Sequence, residues 1–479
     1  LSASVIRDSF RHENLRKFMA SFSGTDTLYA AIGRPQIWDI AGNDDNRVDT
    51  NVPTTSIINE LLDRNDLMYA KRISASSMSF GILKNVWTAG KVYDAWRQDS
   101  AVSLSTTEFV VIDDQGDIYI CLKQGKTGSV TNPSSYSPGT GTVLNSTANT
   151  FKTADGYCWK YVASSTSTDL TLFSSLNHFP VKTYSSDPGG TSADHITWVA
   201  QENSKLYKQG IYTINVTDGG VGYNSGVAGT LNVTDATIGN FKVVGDGTGI
   251  KFTVTYGALG VISDITVTDP GSGYSFAYIE TAGGGAGAMF DIVYSPAYGL
   301  GVDPVKTCNA LYFLATVQIS SDEGGKVTVN NDYRKVCLIS NPTVFGTTTL
   351  ATATNVEFCN KLKVESVTGT FGPDNIIVGS TSSAKGIVID YDAISGIIRY
   401  IKTDYENNLN PGAYASFDSV TNETVSVVGQ PAVNATVSTL QTDPDVDKYS
   451  GEVIYSEYFD TGYPRNLSNE EVLKIIVEF

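Results

Sequence analysis

Along most of the 479-residue chain short aliphatic and aromatic runs, some of them alternating with polar residues, stand between Gly-, Ser-, Thr- and Pro-rich turns, the pattern of β structure. Two stretches near the N-terminus depart from it. Over 11–22, Leu15, Phe18, Met19 and Phe22 stand three and four apart, which predicts an amphipathic helix ended by Gly24, after a short strand over 4–6. Pro53-Thr54-Thr55 then supplies a proline and a hydroxyl cap for a second helix over 56–65, with Ile57, Ile58, Leu61 and Leu62 on one side. A strand over 28–32, the segment Gly33-Arg34-Pro35-Gln36-Ile37-Trp38 and a polar loop over 41–51 lie between them. These two are the only convincing helices in the pattern.

From 68 to 199 the signals are those of strands. Phe109-Val110-Val111-Ile112 and Ile118-Tyr119-Ile120-Cys121-Leu122 flank Asp113-Asp114-Gln115-Gly116-Asp117, a hairpin with turn chemistry between aliphatic runs. The Gly/Ser/Thr/Pro-rich stretch 123–150 reads as a surface loop, and Asp155-Gly156-Tyr157-Cys158-Trp159-Lys160-Tyr161-Val162 resumes a strand.

Near Lys208 glycine becomes dense and a repeat begins. Val216-Thr217-Asp218-Gly219-Gly220-Val221-Gly222-Tyr223 returns as Val267-Thr268-Asp269-Pro270-Gly271-Ser272-Gly273-Tyr274, each copy following an alternating Ile/Val strand. Each unit later carries a glycine cluster before a strand, Gly247-Thr248-Gly249-Ile250-Lys251-Phe252 and Gly285-Ala286-Gly287-Ala288-Met289-Phe290. Two copies of one β unit are implied, each able to supply strands to a shared core. A Thr/Val-rich block over 347–438 holds three short strands between 364 and 392, suiting a small barrel or sandwich. The expected organisation is a core of 1–207, 299–346 and 439–479, with inserts at 208–298 and 347–438. The fold class is mainly β: a β-sandwich-rich core with two N-terminal helices and two inserted small β domains.

Composition narrows the partners. Forty-five glycines, 26 tyrosines, 41% apolar and 17% charged residues suit a soluble, turn-rich β protein of two to four domains. A net charge of −17 repels nucleic acid and anionic membranes, so neither is an expected partner. No stretch has the ~18–20 apolar residues of a membrane span, and Arg7, Arg11, Arg16 and Lys17 argue against a signal peptide at the start. Cys121, Cys158, Cys308, Cys337 and Cys359 form no C-x-x-C pair and read as small apolar residues of a reducing compartment.

Catalytic and cofactor patterns are thin. His12, His178 and His195 have no metal-ligand spacing. Gly379-Ser380-Thr381-Ser382-Ser383-Ala384-Lys385-Gly386 has phosphate-loop composition, but its lysine precedes the second glycine and no helix pattern follows; it reads as a β-turn. Gly219-Gly220-Val221-Gly222 and Gly245-Asp246-Gly247-Thr248-Gly249 lack a dinucleotide fold's context and read as turns and bulges. The acidic loops at Asn43-Asp44-Asp45-Asn46 and at 113–117 have a calcium-like composition without EF-hand spacing and read as solvated loops. Tyr223 and Tyr274, at matching repeat positions, are either repeated core aromatics or a sugar-binding platform. Trp38, Trp87 and Trp96 read as core rather than interface. No cofactor, metal or catalytic group is expected.

The framing segments resemble the gene-eight baseplate wedge protein family of T-even-like contractile-tailed bacteriophages. The resemblance rests on Phe10-Arg11 through Phe18; Ile32-Gly33-Arg34-Pro35 with Trp38; Asp155-Gly156-Tyr157 with Trp159 and Tyr161; Tyr333-Arg334 through Ile339-Ser340-Asn341-Pro342; and Ser450-Gly451-Glu452-Val453-Ile454-Tyr455 with 475–479. These occur in the family's order and outside the inserts. Departures are the inserts themselves and a longer Tyr458-to-Tyr463 segment. The resemblance implies a non-catalytic structural subunit of the virion's tail baseplate, assembled in the host cytoplasm, a homodimer within each wedge that contacts other baseplate wedge proteins. It marks Arg34, Trp38, Trp159, Arg334, Asn341, Pro342, Glu452 and Tyr455 as family-motif or interface residues. The alternative from another class is a tail-associated glycan-binding or depolymerising protein.

Overall fold

The structure is a computed structural model that describes residues 8–34, 64, 66–97, 108–127, 130–233, 241–281, 284–329, 331–402, 416–417, 421–468 and 470–479. The strand expected over 4–6, Trp38, the loop over 41–51 and all of the helix expected over 56–65 except Arg64 lie outside them. The fold is mainly β, and the chain divides into two compact units: Leu1–Lys17 with Ser79–Leu314 and Ile475–Phe479, and Phe18–Met78 with Ala315–Lys474.

In the first unit an antiparallel sheet runs in the order Val110–Ile112, Asp117–Lys123, Cys158–Ser164, Thr150–Lys152, Thr142–Asn145. Both of its faces are covered. The pleat sends Ile118, Ile120, Leu122 and Val162 into one apolar cluster and Tyr119, Cys121, Trp159 and Tyr161 into another, which is why both strands read as unbroken apolar runs. The expected surface loop over 123–150 is corrected here: its end, 142–145, is a strand of this sheet.

Helix assignment also needs correction. The first helix is present as Asp8–Ser21, with Leu15 buried. Two further helices lie within the stretch read as strands, Ser167–Phe173 and Ala193–Ser204. The second packs against strand Cys158–Ser164, and its buried residues, Thr197, Ala200, Gln201 and Ser204, are small or polar while Ile196 is exposed. The first starts on a capping box, Thr166 with Asp169, a signal present in the sequence.

The repeat folds by strand exchange. Ile211–Val221 pairs with Ala286–Tyr294, and the equivalent Ile262–Ser272 pairs with Thr248–Tyr256, so each unit's first strand binds the other unit's last. Phe241–Gly245 and Ala277–Thr281 pair with each other, and Gly229–Val233 extends one copy alone. One apolar cluster fills the block, with Tyr223 and Tyr274 both buried in it.

In the second unit a sheet runs Asn355–Glu357, Leu67–Arg72, Leu28–Gly33, Asp332–Ser340, Glu452–Pro464. Its central strands are buried along nearly their whole length, and Glu452–Pro464 is an end strand. A closed barrel follows the order Asn360–Thr368, Ile397–Ile401, Lys385–Asp392, Ile376–Gly379, Thr424–Val427, Gln430–Thr442. Leu362, Ile377, Val388, Ile398, Val425 and Val437 fill it from alternate positions of its strands.

Candidate functional site

Most of the motif residues meet on the sheet of the second unit. Gly33 ends its strand against Lys335, and a Cβ there would stand 2.8 Å from the Asp66 carbonyl and 2.9 Å from Lys335 Cε, so the backbones approach only because this residue is glycine. The next residue, Arg34, is buried. Its Nε donates to Asp332 Oδ1 at 2.5 Å and its terminal nitrogen to the Asp374 carboxylate. Asp332 Oδ2 accepts from Nε of the buried Arg334 at 2.9 Å, so one carboxylate bridges two guanidinium groups.

Lys335 carries the cluster on. It is fully buried, 3.6 Å from Asp66 Oδ2 and 5.1 Å from the centre of the Tyr458 ring. Arg465, also buried, binds Glu471 Oε2 at 2.6 Å and the carbonyls of Thr328 and Ser321 at 2.9 and 2.7 Å. Charges taken out of water in this way persist only when paired and hydrogen-bonded, and the pairs add little net stability against apolar replacements of the same shape.

At the other end of the same strands, Asn341 stands at φ +51° and exchanges hydrogen bonds with Thr27: Oδ1 accepts from the Thr27 N–H and its own N–H donates to the Thr27 carbonyl, both at 2.8 Å. Pro342 is buried, and its carbonyl accepts from Ala351 N–H. Ser450 Oγ accepts from Thr343 N–H at 2.7 Å and donates to the Asp447 carbonyl at 2.6 Å. Glu452 then opens the end strand and is exposed, and Tyr455 is half-buried with its hydroxyl donating to Glu457 Oε2 at 2.5 Å. Burial, and next the Glu457 carboxylate, push the Tyr455 phenol well above its ordinary range.

The motif residues are therefore not one surface. Trp159 is fully buried in the first unit, with Nε1 on Thr153 Oγ1 at 3.3 Å and its ring stacked on Tyr157, while Arg34, Arg334 and Pro342 are interior to the second. None of these four can be a docking side chain as folded; among the described motif residues Glu452 is exposed, and Asn341 and Tyr455 are half-buried. Trp38 lies outside the described residues. Asp332, which holds both arginines, is given no role by the sequence; the available signal is an acid two residues before Arg334 at the start of the strand.

The other candidates resolve into structure. Glu423, buried, accepts from Thr381 and Ser382 N–H at 2.9 Å each and from Ser382 Oγ at 2.8 Å, so the protein's own carboxylate fills the nest that the Gly379–Gly386 turn presents. Asp113 Oδ1 accepts from Gln115 and Asp117 N–H at 2.9 Å each, a hairpin turn closing on itself. The other acidic loop, 43–46, lies outside the described residues. Gly222 and Gly273 sit at φ +83° and +80° in matching turns.

The three histidines meet different neighbours. Burial pushes the His12 imidazole down to about 4, His178 packs its ring on Tyr312, and His195 Nδ1 lies 2.6 Å from Asp187 Oδ1. Tyr223 and Tyr274 are buried, which removes them as a sugar platform. Trp96 is buried and Trp87 half-buried, its Nε1 on Ser134 Oγ at 3.1 Å. All five cysteines are buried free thiols, and among the described residues no group of three or more His, Cys, Asp or Glu is placed to hold a metal ion.

The chain matches no protein-family model, and no curated protein matches it.

Proposed function

We propose that the protein is a structural subunit of a contractile phage tail baseplate wedge, which acts by assembling with other wedge proteins and performs no chemistry. The observation that carries this reading is the meeting of three separate motif segments on one sheet. Ile32 to Arg34, Tyr333 to Pro342 and Ser450 to Tyr455 are hydrogen-bonded neighbours there, locked by Asp332 between Arg34 and Arg334. The ordered resemblance of these segments to wedge proteins supports this reading, and a sheet whose register is held by buried ion pairs suits a rigid assembly part.

The expected partners are other wedge proteins and a second copy of the chain, with neither nucleic acid nor membrane, in the virion tail after assembly in the host cytoplasm. The experiment is light scattering of the purified full chain, followed by co-purification with the other wedge subunits of the same phage. A dimer that enters a wedge complex is expected; a monomer that ignores those subunits overturns the reading. The glycan-binding alternative loses the two repeat tyrosines on which it leaned, because both are interior.

A further inference from the structure

The first unit contains a cleft of about 750 Å³, within the roughly 300–1,000 Å³ typical of small-molecule sites. It is lined among others by Leu83, Lys91, Glu108, His178 and Tyr312. Of the motif segments only 475–479 reaches it, through Glu478.

Three of its four Lys and Glu side chains are ion-paired. Lys91 Nζ lies 2.6 Å from Glu108 Oε2 and 3.1 Å from Asn85 Oδ1, and Glu478 binds Arg11 at 2.6 Å. Lys84, exposed at the rim, stands 3.5 Å from Ser174 Oγ and the Ser175 carbonyl. A strongly charged ligand finds no concentrated opposite field.

What remains is planar amide and ring. Asn177 is exposed at the rim, and Asn309 lines the cleft with only 8% exposure, neither its Nδ2 nor its Oδ1 having a hydrogen-bond partner. Its backbone, at φ +52° after the short helix Pro304–Thr307, accounts for asparagine as a helix-ending residue but not for an unmet amide. An amide offers a donor and an acceptor on adjacent atoms, and two neighbouring hydroxyls return the same pair. Beside it, His178 and Tyr312 pack edge to face with ring centres 4.6 Å apart, both half-buried, giving an apolar platform with polar tips.

An extended peptide is the less suitable occupant. The nearby end strand Val110–Ile112 has its outer edge taken: Ile112 N–H donates to the Asn85 carbonyl, Trp87 N–H to the Ile112 carbonyl and Asn85 Nδ2 to the Val110 carbonyl, at 2.8–2.9 Å. Strand addition needs that edge free.

We propose that this cleft binds a short neutral oligosaccharide, gripped by the Asn177 and Asn309 amides and stacked on the Tyr312–His178 pair. The site is separate from the sheet that carries the assembly reading and does not depend on it. The test is saturation-transfer NMR and calorimetry on the full chain with maltotriose, cellotriose, N,N′-diacetylchitobiose and lactose, beside heparin and a pool of extended hexapeptides. Saturable binding of at least one neutral sugar is expected, weakened about tenfold or more by Tyr312→Ala and several-fold by Asn177→Ala. Asn177 is exposed, so its variant keeps the fold, which circular dichroism checks. No neutral sugar bound at millimolar concentration, binding unmoved by both variants, or binding of heparin or peptide alone overturns the proposal.

Discussion

Lys160 is the residue whose environment is hardest to reconcile with its chemistry. It lies on the core face of strand Cys158–Ser164, fully buried, with Nζ donating to the Ala148 carbonyl at 2.6 Å and standing 5.2 Å from the centre of the Tyr212 ring. Desolvation pulls its ammonium from 10.5 down to about 7. The unfolded chain keeps this proton up to about pH 10.5 and the folded chain only to about 7, so unfolding takes up a proton between them. Stability therefore rises with pH through that window, the penalty being fully present below pH 7 and gone above 10.5. Lys160→Met, nearly the same length without the charge, should raise the melting temperature at pH 6 by an amount worth a few kcal/mol. It should gain progressively less at pH 8 and 9. Parallel melting profiles for the two proteins across pH 6–9 would show that the amine is not held in the way described.

At the scale of elements, the repeat makes a matched pair of demands. A Cβ on Gly247 would lie 2.4 Å from the Tyr274 ring, and one on Gly285 2.4 Å from the Tyr223 ring, each tyrosine buried and unable to retreat. Gly226, at φ +75° with nothing within 4 Å, offers a contrast in which only backbone conformation is at stake. Gly247→Ala and Gly285→Ala should each cost about 1–3 kcal/mol in urea unfolding. Gly226→Ala should cost about 1. Equal losses at all three would refute the packing argument. The sequence showed this repeat because its glycines and tyrosines recur in order, and it showed the mainly β class because Asp117–Lys123 and Cys158–Ser164 are apolar on both faces. It concealed helix Ala193–Ser204, whose buried side is Thr197, Ala200, Gln201 and Ser204, and strand Thr142–Asn145, whose residues resemble their loop neighbours. The site was half legible for a related reason: Arg34 and Arg334 stand in motifs, but that Asp332 bridges them depends on strand register and on a turn at Asp374 far along the chain.

For the whole molecule, charge sets the terms of assembly. The chain carries −17, an excess of 50 acidic over 33 basic side chains, so its long-range field is that of an anion. Two copies of such a chain repel over a distance that salt controls, about 30 Å at 0.01 M and 8 Å at 0.15 M. If the proposed homodimer forms through apolar or backbone contacts, its dissociation constant should fall, by roughly tenfold, as sodium chloride rises from 10 to 150 mM, because screening removes repulsion and leaves the contacts. If the proposed assembly with a wedge partner holds and that partner is basic, its binding should move the other way and weaken with salt, since there the long-range field attracts. Sedimentation velocity on the chain alone and with a partner separates the two. A dimer that loosens with added salt would mean that opposite charges hold it, which requires the few exposed lysines and arginines to be gathered at that interface.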